Sequence, residues 1–153
     1  MTYQDNFQKW LDFAELPDYL RKDLEGMDEK TKEDAFYTNL EFGTAGMRGL
    51  IGAGTNRINI YVVRQATEGL ARLIEEKGDE FKKRGVAIAY DSRHFSPEFA
   101  FESAAVLAKH GIKSYVFESL RPTPELSFAV RHLGTFAGIM ITASHNPAPF
   151  NGY

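Results

Sequence analysis

The 153-residue sequence has no cysteine. That excludes disulfides and thiolate metal sites, and it agrees with a reducing, cytoplasmic setting. No apolar run approaches the roughly 20 residues that a membrane-spanning helix needs. The opening MTYQDNFQKW has no apolar stretch of the kind a secretory leader carries. A large excess of one charge is missing too, since the formal net charge is only -3. Neither a membrane nor a nucleic acid is therefore an expected partner. Internal repeats and low-complexity tracts are also lacking.

What is present describes a globular chain, with 43% hydrophobic and 25% charged residues. A chain of this length can bury roughly 70% of its unfolded surface if its sheet is complete. Charge is unevenly spread. Residues 1–40 carry ten acids against five bases, and residues 41–153 carry eleven against thirteen. The second part is mildly positive, which suits an anionic small molecule.

Periodicity divides the chain in the same place. Phe7, Trp10, Leu11 and Phe13 recur at helical spacing, and Pro17 interrupts before Tyr19, Leu20 and Leu24 resume. Residues 1–40 are accordingly expected to form a helical lead-in, with a second unit over 41–153. The segment EFGTAGMRGLIGAGTNRIN has glycines at 43, 46, 49, 52 and 54 and reads as extended backbone with turns. A helix is expected over 60–76, with Val63, Thr67, Leu70, Leu73 and Ile74 on one face. Then strands and helices alternate. GVAIAY (85–90), IKSYVF (112–117) and AGIMITA (137–143) read as strands, with helices over 96–110 and from 123 to about 133. Ser96 and Thr123, each followed by Pro and Glu, read as caps of those helices. This order implies right-handed crossovers and a parallel sheet covered on both faces.

The chemistry concentrates in TASHNP (142–147), which delivers Ser144 to the end of the last strand, where ligands of open α/β sheets bind. Ser144 and His145 are adjacent, and neighbours in extended backbone point apart. The GxSxG elbow is absent, so a hydrolase pair is disfavoured. A plain alternative stays open, in which Ser144 and Asn146 only satisfy turn backbone and Pro147 stiffens it. GTAGMRG allows backbone N–H groups to approach an anion and offers Arg48 as a bidentate phosphate grip. It matches neither the Walker nor the dinucleotide pattern. In YDSRHFSPE, Asp91 and Arg93 fit a loop-fixing ion pair as well as a ligand site. His94, His110 and His132 show no metal spacing.

Taken together, FGTAGMRG, YDSR, RPTPELSFAVR and TASHNPAPFNGY resemble, in order and spacing, the first domain of the α-D-phosphohexomutases, and most nearly the bacterial phosphoglucomutase branch. The resemblance runs from Glu41 to Tyr153. It implies a three-layer α/β/α fold with a mostly parallel, mixed sheet. It also implies that Ser144 carries a phosphoryl group exchanged with a hexose phosphate, in a cycle through glucose 1-phosphate, glucose 6-phosphate and glucose 1,6-bisphosphate. His145 would orient the loop or the sugar. Arg48 would stabilise phosphoryl charge or assist proton transfer, and Thr44 would belong to the same wall. Mg²⁺ is the implied cofactor, bound through the phosphate on Ser144.

The family's other metal ligands lie in a DGDxDR motif, which does not occur here. A lysine that usually follows NGY is also absent from the 153 residues. The expectation is an N-terminal piece of a phosphoglucomutase with no appreciable activity alone. A phosphomannomutase of the same family and a non-catalytic phosphosugar-binding module are the alternatives.

Overall fold

The computed structural model describes residues 2–153. Three short helices lead the chain: α1 (Tyr3–Asp12), α2 (Asp18–Glu25) and α3 (Glu29–Phe36). A reciprocal capping box starts α1, since Thr2 Oγ1 accepts from Asp5 N at 3.2 Å and the Asp5 carboxylate accepts from Thr2 N at 2.8 Å. Pro17, which has no N–H to leave unpaired, immediately precedes α2. Asp28 caps α3 by accepting from Thr31 N at 2.8 Å. Leu20, Leu24 and Phe36 are fully buried and share one cluster with Val63, Ile88 and Ile141. At roughly 1.5–3 kcal/mol per buried side chain, these contacts dock helices too short to stand alone in water.

The glycine segment contributes β1 (Arg48–Leu50) and runs into α4 (Ile60–Lys77). Asn59 joins the two. Its Oδ1 accepts from Tyr61 N and Val62 N at the start of α4, while its Nδ2 donates to the carbonyls of Gly52 and Gly54, each at 2.9 Å. The chain continues through α5 (Asp79–Arg84), β2 (Val86–Tyr90), α6 (Ser96–Lys109), β3 (Ser114–Val116), α7 (Thr123–Leu133), β4 (Ala137–Ile141) and β5 (Phe150–Gly152).

The central sheet is parallel, in the order β3-β2-β4. Every residue of β2 is buried, as expected of the middle strand of a sheet covered on both faces. The period-two alternation of a strand separates its contacts. Val86, Ile88 and Tyr90 pack in the larger cluster with residues of α4 and α6, whereas Ala87 and Ala89 meet Leu126 and Ala129 of α7. The three-layer α/β/α architecture follows. A separate two-stranded ladder pairs β1 and β5 antiparallel, with Arg48 opposite Gly152.

Several local expectations are corrected. Ser96 and Thr123 are the first residues of α6 and α7, and neither caps its helix with its side chain. Phe95 and Pro122 take the cap positions, and Pro97 falls at the second helical residue rather than the first. Leu73 is 45% exposed, because the buried stripe of α4 runs through Val63, Thr67, Ala71 and Ile74. The strand expected over 112–117 is regular only from Ser114 to Val116, and the strand expected to reach Ala143 ends at Ile141.

Candidate functional site

The site is built where β4 ends beside β2. Thr142 leaves the sheet with its hydroxyl donating to Asp91 Oδ2 at 2.6 Å, which ties the two strand ends together. The same Oγ1 accepts from Ser144 N at 3.0 Å. Asn146 N then returns to the Ala143 carbonyl at 3.0 Å, closing a tight turn around Ser144. Ser144 itself has φ +54°, the left-handed region that a residue with a Cβ rarely adopts. The surrounding hydrogen bonds must hold it there.

That conformation alters the relation of Ser144 to its neighbour. The backbone at Ser144 is not extended, and its Oγ comes 3.4 Å from His145 Nδ1, a long contact. Among the described residues no ion pair includes His145.

Arg48 reaches the same loop from the far side of the sequence. Its Nη1 donates to Asn146 Oδ1 at 3.3 Å across a separation of 98 residues. The β1–β5 ladder makes this meeting possible, helped by the mutual bonds of Met47 and Tyr153, N to O at 2.9 Å in both directions. Arg48 and Ser144 line one cavity of about 640 Å³, with Phe42, Gly46, Thr142 and Tyr153 among its walls. Ser144 also lines a second, polar cavity of about 440 Å³ with Asp91, Arg93 and Asn146. The serine thus stands between two openings. Thr44 sits on the turn between Gly43 and Gly46 and is not among the residues lining either cavity.

Burial pushes the Tyr153 phenol up to about 12, against a smaller opposing effect of Thr67, whose Oγ1 lies 3.0 Å from the phenol oxygen. Tyr153 is a neutral wall of the cavity at any physiological pH. Asp91 and Arg93 make an ion pair at 3.5 Å, and Asp91 Oδ1 further accepts from Arg93 N and Ser96 Oγ at 3.0 and 2.7 Å. Ser96 is drawn to Asp91 instead of capping α6. Arg93 is a candidate already in YDSR, as half of an ion pair with Asp91; Thr142 is the residue of TASHNP to which motif reading gives no role of its own, and the strand-end position of both motifs is the signal that they meet.

Among the described residues no three His, Asp, Glu or Cys side chains are grouped to hold a metal ion. Asp91 is already engaged by Thr142, Ser96 and Arg93. The residues present do not make a complete divalent-cation site. Similarly, no helix among them is long and apolar enough to cross a membrane.

With this geometry in place, residues 39–153 match the family described as phosphoglucomutase/phosphomannomutase, alpha/beta/alpha domain I. The chain belongs to that family. A phosphoglucomutase of Staphylococcus haemolyticus is 41% identical over 149 residues, covering 97% of this chain and 26% of that protein. A probable phosphoribomutase of Schizosaccharomyces pombe is 45% identical over 85% of this chain and 22% of its own length. The crystal structure of a putative phosphomannomutase from Thermus thermophilus superposes with a TM-score of 0.66 at 35% identity, over 75% of this chain and 25% of the other. The chain spans about a quarter of the length of the curated relatives it matches.

Proposed function

We propose that this chain supplies the phosphoryl-carrying serine of a sugar phosphate mutase, with Ser144 as the carrier. The observation that carries the proposal is Ser144, left-handed and exposed at the carboxyl end of the sheet, sharing one cavity with Arg48. In the forward half-reaction the bond from phosphorus to Ser144 Oγ breaks as a bond forms to a hydroxyl oxygen of a hexose monophosphate. The hydroxyl proton is released, Ser144 regains an O–H, and a hexose bisphosphate results. The bisphosphate turns around and returns its other phosphoryl group to Ser144, which leaves the isomeric monophosphate. The arginine guanidinium at position 48 faces the charge of the transferring group, and electrostatic stabilisation of that charge is the main task of a protein in phosphoryl transfer. His145 would steady the loop or the sugar.

Glucose 1-phosphate and glucose 6-phosphate are the proposed substrates on the strength of the Staphylococcus phosphoglucomutases, and a cytoplasmic setting is proposed because it agrees with the lack of cysteine. A mannose or ribose phosphate is the sister reading, which the names of the other relatives favour. Magnesium remains part of the proposal only through oxygens of a Ser144 phosphate, with further ligands from outside the described residues. Because the chain spans about a quarter of its relatives, the isolated chain is expected to show no appreciable interconversion.

Intact mass tests the reading. The purified chain should carry a single phosphate that is absent from Ser144→Ala. A wild-type chain that stays unmodified under phosphatase inhibition and after exposure to glucose 1,6-bisphosphate would argue for a binding module or a structural role.

A further inference from the structure

Arg93 has five N–H donors on its guanidinium, and its two terminal nitrogens donate to four carbonyls of the protein. Nη1 donates to the carbonyls of Pro147 and Phe150, each at 3.0 Å, and Nη2 donates to those of Ser144 and Asn146 at 2.8 and 2.7 Å. Nε faces Asp91 Oδ2 at 3.5 Å. The side chain is only 14% exposed. One side chain thus gathers four carbonyl oxygens from a seven-residue stretch that begins at Ser144.

We propose that Arg93, aimed by Asp91, is the positioning residue of Ser144: it holds the loop in its left-handed turn with both terminal nitrogens spent on loop carbonyls. The inference rests on Ser144 as the phosphoryl carrier and explains how that serine is kept in place. No peptide among the described residues is cis, and a trans peptide points its N–H opposite its C=O. Drawing the Ser144 carbonyl toward Arg93 therefore turns the His145 N–H away from it. The two arginines at the loop divide the labour. Both terminal nitrogens of Arg93 are committed to carbonyls, whereas Arg48 makes one long bond, to Asn146.

Lysine would preserve the charge but offers three donors around a single point, which cannot fork to four carbonyls. Arg93→Lys is therefore a specific probe that keeps an aliphatic stem. The experiment is amide hydrogen exchange and backbone ¹³C spectroscopy on phosphatase-treated chain. In Arg93→Lys, exchange at Ser144, Asn146 and Phe150 should speed up by about tenfold or more, with β2 amides unchanged. The Ser144 ¹³Cα and ¹³Cβ shifts should leave their left-handed values. In Arg93→Ala, millimolar methylguanidinium should restore those shifts and methylammonium should not. Wild-type loop exchange and Ser144 shifts in Arg93→Lys would overturn the proposal, as would equal acceleration in β2, which would mean general destabilisation. All arms are read without phosphate, so an unmodified Ser144 would defeat the mutase reading while leaving this result interpretable.

Discussion

Thr142 Oγ1 stands 2.6 Å from Asp91 Oδ2, joining the ends of two adjacent parallel strands that lie 51 residues apart in sequence. The hydroxyl serves both sides of the site, because it donates to Asp91 and accepts from Ser144 N. Thr142→Val keeps the shape and removes both bonds. A hydrogen bond to a charged group of this kind contributes about 1–3 kcal/mol, and urea unfolding should show a loss of that size. Thr142→Ser should retain most of it. A loss below about 0.5 kcal/mol in the valine variant would mean that the bond adds nothing.

Two glycines should respond in opposite directions to alanine. Gly46 has φ +89°, and a Cβ there would collide with the Tyr153 carbonyl, which accepts from Met47 N. Gly46→Ala combines a left-handed penalty of about 1–2 kcal/mol with the opening of the β1–β5 ladder, so a loss of more than about 2 kcal/mol is expected. Gly69 lies inside α4 with open space where its Cβ would go. Gly69→Ala should stabilise by about 0.5–1 kcal/mol. Urea midpoints for the pair check both signs, and a neutral Gly46→Ala would refute the close approach.

A pH effect should come from the end of α6. His110 Nε2 lies 2.8 Å from Glu68 and its Nδ1 3.0 Å from Glu75, while Arg72 and Lys82 also face these carboxylates. Hydrogen bonding to Glu75, then Glu68, raises the His110 pKa above its ordinary value, and the partner bonds lower both glutamates. A raised histidine stabilises the fold fully below its unfolded value of about 6.5 and loses that contribution as pH climbs through the folded value. The lowered glutamates contribute above about 4.5 and lose it as pH falls through their folded values. Urea midpoints should therefore peak between these limits and decline above the upper one, and His110→Gln should flatten the decline. An unchanged alkaline slope in His110→Gln would place its origin elsewhere.

Much of this was legible because it is local. The alternation of buried runs with Ser-Pro-Glu and Thr-Pro-Glu announced β2 to β4 and the helices between them, and TASHNP placed Ser144 at a strand end. What escaped depended on partners distant in sequence. Ser96 has the chemistry of a cap, but Asp91 competes for its hydroxyl. Leu73 has the right spacing for the core, yet its side of α4 faces the cavity instead of the packed stripe. The reach of Arg48 to Asn146 requires an antiparallel ladder between residues 48–50 and 150–152, which no local pattern encodes. Asp91 and Arg93 were recognisable as a pair, but only the fold shows the loop carbonyls that the arginine collects.

The most direct test of the central claim is ³¹P NMR of the folded chain over a pH series, in wild type, Ser144→Ala and Arg48→Gln. The account predicts one phosphomonoester resonance, absent from Ser144→Ala, whose second ionisation lies below that of a free phosphoserine at about 6. A neighbouring guanidinium favours the dianion, so in Arg48→Gln the same resonance should titrate at higher pH. The absence of any resonance removed by Ser144→Ala, or identical titration with and without Arg48, would contradict it.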